Sequence, residues 1–418
     1  MNRWLRHTSS LACTFALLSC SGEETHAATT SNHQAASRPS EPVEAFQTEL
    51  LRMAFRATEK FPLDPQIKNR CREREEVVSA ALQLGSTELA LEFTRQIENW
   101  RKGACYALVA RELVEQGKTA NVEGYLDQAL ASISAESGAT GQAWRVDRVR
   151  ALVAVVKAML GDDAKAHELA ATIDTDAQRE VLVVDEARTL RDEDFDKALR
   201  QVDAVCKSGS FEPVTAQLRK CVRLYDRYFA DTERRAALEE RICRAALKST
   251  PAMVRVELLT DSARVAAMHG DRAKAEELIG LASDLMAETP KWNPEHRLPL
   301  DAAIAEALHL AGATDKARER LAAAIDYFDA NKQFVINMFR GNALRPIAEA
   351  YHAIGDEQAS IDLYAKILDE AFVNPNARPR AMDFIATCCS LAVHHIEPTA
   401  ELRQRLNGIV DEELDSPW

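Results

Sequence analysis

Apolar positions recur along the chain with helical spacing, and one unit returns repeatedly. An alanine-rich apolar stretch leads into a turn, and a second amphipathic stretch carries a small residue five positions after it. Copies turn at Gly85, Gly117, Gly161, Gly270, Gly312 and Gly355, with the small residue at Ala90, Ala166, Ala275 and Ala317, and Val122 in its place after Gly117. Two further copies lack the glycine but keep Phe195 with Ala198, and Phe229 with Ala237. From Gly85 to Gly355 there are about seven steps of roughly 39 residues. A lone hairpin buries one face only, so neighbours must stack to close a core. The pattern therefore predicts an all-α fold, an α-solenoid of about eight to nine antiparallel hairpins over residues 45–414. A helix from about Val43 to Lys60 is expected to cap its front, and Ala400 to Glu413 its back. Pro290 to Leu300 is the longest expected loop between repeats.

The clearest copy, Leu344 to Leu368, places Ile347-Ala348, Tyr351, Gly355-Asp356, Ile361, Tyr364 and Leu368 at fixed offsets. These residues resemble a degenerate tetratricopeptide repeat. The resemblance implies a concave groove lined by first-helix residues six and three positions before each turn glycine. Those phases give Arg111 and Val114, Arg264 and Ala267, Glu306 and His309, and Glu349 and His352. The groove so implied is basic toward its front and middle and acidic with histidine toward its rear.

Residues 1–20 carry Arg3 and Arg6 before a short apolar stretch, which reads as a secretory signal too short to span a bilayer. The segment ends Leu17-Leu18-Ser19-Cys20, which resembles the lipobox of bacterial lipoproteins and implies a diacylglycerol on Cys20. An ordinary cleavage near Thr25-His26-Ala27 is the other reading. Ser21 rather than Asp implies an outer-membrane destination in a two-membraned cell. Residues 21–44 are polar, with Pro39 and Pro42, and read as a flexible tether.

The net charge of −13 removes most of the case for nucleic-acid binding, which needs a basic field. Phosphate-loop, nucleophile-elbow, His-Glu-x-x-His and Cys-x-x-Cys motifs are missing. Glu136-Ser137 resembles the start of a lytic transglycosylase site, but the companion Gly-Leu-Met-Gln run is lacking. Glu306 with His309, and Glu349 with His352, repeat Glu-x-x-His at helical spacing; a shared polar face is preferred over a metal site, and no cofactor is expected. His394-His395 after Cys388-Cys389 is read the same way. Seven cysteines follow Cys20, and the repeat phase brings Cys206, Cys221 and Cys243 to one end of adjacent hairpins, as a disulfide pair with a spare thiol or as small packing residues.

These readings lead to a lipid-anchored extracytoplasmic scaffold that binds a protein or peptide of the cell envelope and is not an enzyme. The alternatives are the solenoid part, or a regulator, of a cell-wall hydrolase, and a small-molecule or metal receptor.

Overall fold

In the computed structural model, residues 43–134, 142–208, 211–245, 250–289 and 291–414 are described. They form helices with no strand among them. Helix α1 is Ala45–Glu59. In chain order there follow α2 (Leu63–Gln83) and α3 (Thr87–Thr94), α4 (Arg101–Glu115) and α5 (Val122–Ala131), α6 (Ala143–Met159) and α7 (Asp163–Ala170), and α8 (Asp176–Thr189) and α9 (Phe195–Ser208). The series continues with α10 (Phe211–Arg227) and α11 (Thr232–Glu240), α12 (Ala252–Met268) and α13 (Arg272–Glu288), and α14 (Pro294–Leu310) and α15 (Thr314–Asn331). It ends with α16 (Arg340–Ala353) and α17 (Glu357–Phe372), and α18 (Ala377–Val393) and α19 (Ala400–Gly408). The all-α repeat is as the sequence pattern requires.

Local chemistry explains the turns. All six turn glycines have positive φ, from 73° at Gly85 to 90° at Gly312, a region that costs an L side chain about 1–2 kcal/mol. Each closes its first helix in the same way: Gly270 N donates to Ala267 O and Asp271 N to Ala266 O, satisfying carbonyls the helix end leaves open. The residue after the glycine then starts the second helix, as where Asp162 accepts from Lys165 N and Asp271 from Lys274 N. At the end of α18, His395 stands where the other copies have glycine, with φ 58°. The residues that let paired helices approach, Ala90, Ala275 and Ala317, are wholly buried.

The chain divides into two compact units. The central unit holds residues 180–336 and 346–360, and the terminal unit residues 43–179, 337–345 and 361–414. Within the central unit, α12 pairs with α13 and α14 with α15, and successive first helices α10, α12 and α14 lie side by side. Their shared core includes Tyr225, Leu259, Leu278 and Ile304, all under 3% exposed. Within the terminal unit, α2, α4 and α6 stack in the same manner. The sequence places α1 and the last helices at opposite ends of the array. Instead α1 packs along α18, and both pack against α2. Buried Gln47 fixes that contact, donating to Ala392 O at 2.7 Å with His395 Nδ1 at 3.1 Å. The expected loop from Pro290 to Leu300 is also shorter than anticipated. Asn293 accepts from Glu295 N and Pro294 occupies the first turn, so α14 is already under way at Pro294. Among the described residues no helix is long and apolar enough to cross a membrane.

Candidate functional site

Of the eight first-helix residues that the repeat phase assigns to an open groove, three are buried and five half-buried. Arg264 is 3% exposed; its Nη2 lies 3.0 Å from Glu306 Oε2, joining α12 to α14, and its Nη1 lies 3.8 Å from Asp261. Arg111 is 9% exposed, with Glu115 one turn away at 4.0 Å, and Glu349 is buried as well. Val114, Ala267, His309 and His352 are half-buried. His309 Nδ1 is 2.9 Å from Thr314 Oγ1, and burial lowers its pKa. Arg264 and Glu306 thus pair across α12 and α14, while five of the eight positions keep part of their surface. Cys206, Cys221 and Cys243 do meet at one core cluster, with no disulfide among them, and burial pushes the Cys221 thiol up to about 12. Cys20, the tether up to residue 42 and Glu136-Ser137 lie outside the described residues. Among the described residues no three His, Cys, Asp or Glu side chains converge to hold a metal ion.

Two places that the motif search passed over carry more chemistry. In the terminal unit, the run Arg72-Glu73-Arg74-Glu75-Glu76 sits in the middle of α2, and every position but Arg72 and Glu76 is buried. Glu75 is clamped between Arg101 of α4 and Arg148 of α6. Burial opposes its ionisation, but the two arginines outweigh that and hold its pKa below the carboxylate range. Glu73 lacks such a clamp. Burial, with Glu76 adding like charge, pushes its carboxyl up to about 8 despite Arg72 and Arg101. Glu76 reaches water although protein crowds it, and burial together with Glu75 raises its pKa too. Asp383 of α18 faces Arg345 Nη2 at 3.6 Å, yet burial pushes it up to about 7. Its Oδ2 is buried with no hydrogen-bond partner among the described residues. Gly341 permits the approach, since a Cβ there would meet Asp383 Oδ1 at 2.5 Å.

In the central unit, α13, the loop after it, α14 and α15 line a half-open cavity of about 940 Å³. The loop is pinned by the open carbonyls of the α13 end. Thr289 Oγ1 donates to Leu285 O at 3.0 Å and Trp292 Nε1 to Met286 O at 2.9 Å. Tyr327 Oη, from α15, donates to Trp292 O at 2.9 Å, so the aromatic wall is built before any ligand arrives. Asp301 lies at the floor, 4% exposed, and carries two arginines. Arg297 Nε is 3.2 Å from Oδ2, and Arg320 Nε is 2.9 Å from Oδ1. The Arg297 guanidinium stacks 4.0 Å over the Tyr327 ring. Burial draws the Arg320 guanidinium below its ordinary range; Asp301 opposes that and Arg297 adds to it. Phe334, at the rim, is 70% exposed. The sequence marked the loop through its prolines and Trp292. Arg297, Arg320 and Tyr327 gave no signal, because they converge only once α14 and α15 pack.

Comparison with protein-family models and with curated proteins gives no match.

Proposed function

We propose that the chain is a lipid-anchored, extracytoplasmic interaction scaffold that holds a segment of an envelope protein in the cavity of the central unit. The observation that carries this reading is the cavity itself. It has pre-organised aromatic walls, a cationic floor and an exposed phenylalanine at the mouth, a combination typical of sites that take up a ligand. The repeat supports it too, since stacked hairpins supply rigid walls on which such a site can be held. The leader ending at Cys20 supports a periplasmic position at the outer membrane, reached through the 21–44 tether.

A photo-cross-linking residue at position 334, with an equivalent one at exposed Arg52 in the terminal unit as control, tests the reading in native envelopes. One partner should be captured from position 334 and lost when Arg297 is replaced by Gln. Capture from position 52 alone would remove the cavity as the binding site.

A further inference from the structure

We infer that this cavity selects an internal acidic side chain of a polypeptide, Asp or Glu, that is followed by an apolar residue. The inference rests on the scaffold reading and adds the chemistry of what is held. Two guanidinium groups share the single carboxylate of Asp301, so the floor carries one positive charge in excess. Asp301 takes the Nε of each arginine, and Ser283 Oγ accepts from Arg320 Nη1 at 3.3 Å. Arg297 Nη1 and Nη2 and Arg320 Nη2 have no other acceptor among the described residues. Three N–H-bearing nitrogens in two planar forks, with one charge to neutralise, match a monoanionic carboxylate better than a phosphate dianion. Lys291 also lines the cavity but is exposed on the loop, where water screens its charge.

The apolar half of the ligand follows from the walls. Trp292 and Tyr327 are half-buried, and Phe334 presents an apolar ring that is 70% exposed. Ile336, two residues on, is 55% exposed as well. A polypeptide segment with an apolar residue next to its carboxylate covers Phe334 at the mouth, whereas an isolated anion leaves the ring exposed. A carboxylate over the arginines with an apolar side chain against Phe334 therefore uses both the open guanidinium nitrogens and the exposed ring.

The test is fluorescence anisotropy with the full lipidated protein in detergent and labelled hexapeptides, the first three of them blocked at both ends. The reference peptide is Gly-Ser-Asp-Phe-Gly-Ser, and its comparators carry Asn or phosphoserine in place of Asp. A fourth peptide ends in a free Phe carboxylate and lacks Asp. The Asp peptide should bind about tenfold tighter than the Asn peptide or better, the scale of a charge-assisted contact. Arg297→Gln should erase that preference with the unfolding midpoint kept. Arg297→Lys retains charge but not the fork and should lose most of the preference. Phe334→Ala should weaken the Asp and Asn peptides by the same factor. Equal binding of Asp and Asn peptides, tighter binding of the phosphoserine or free-acid peptide, or no binding by any of them would each overturn the inference. Capture from position 334 is read independently, so a partner caught there while the peptides show no preference would fault the chemistry and leave the scaffold reading standing.

Discussion

Replacing Glu73 with Gln should make the protein's stability less sensitive to alkali. Glu73 is 6% exposed, and its carboxyl titrates near 8 because burial disfavours its charge, with Glu76 and Asp383 adding repulsion. The ordinary value is 4.5. Between those two values the folded chain retains a proton that the unfolded chain has released. Stability then falls as pH rises, by up to about 1.4 kcal/mol per pH unit for one group. Carried from 4.5 to about 8, the full loss is on the order of 4–5 kcal/mol at most. Glu76 and Asp383 share the proton load, so removing one member returns only part of it. Gln keeps the volume and never ionises. Urea unfolding followed by circular dichroism at pH 5, 6.5 and 8 reads the difference. Wild type and Glu73→Gln should agree within about 1 kcal/mol at pH 5, and the variant should lead by about 2 kcal/mol or more at pH 8. A gap independent of pH, or one that favours wild type at pH 8, would refute the reasoning. Asp383→Asn should show the same sign with its transition near 7.

Arg264→Ala should cost about 3 kcal/mol in urea unfolding by removing the buried guanidinium that joins α12 to Glu306 of α14, and joint replacement of both residues by leucine should recover most of that. Gly103→Ala should lower the thermal midpoint through an overpacking cost of about 1–3 kcal/mol, because a Cβ there meets Ala129 O at 2.7 Å. Gly270→Ala meets nothing within 4 Å and should cost only the backbone strain of its positive φ, about 1–2 kcal/mol in the same melt. Cys20→Ala should abolish acyl labelling and membrane retention of the secreted chain; fractionation that leaves the variant with the membrane would remove the lipoprotein proposal.

Much of the fold was written in short segments. A glycine with positive φ and an aspartate that caps the next helix act within one turn, so Gly270-Asp271 identifies a hairpin without knowledge of anything distant. The alanines five residues on are legible for the same reason, since the two helices of one hairpin meet through neighbours in sequence. Where the turn departs from that chemistry, sequence reasoning is silent: His395 takes the left-handed position at the end of α18, and its role emerges only beside Gln47. That contact joins residues 348 apart in sequence. No periodicity reports such a distance, which is why α1 read as a cap rather than as a helix packed along α18. Face and exposure likewise come from different sources. The helical period places Arg264 and Glu306 at the same phase of their helices, but whether that phase meets solvent or another first helix depends on how closely successive hairpins approach. The cavity is decided at the same level. Arg297 and Arg320 come from different helices and become a site only when both reach one carboxylate, a convergence set by packing rather than by any local rule.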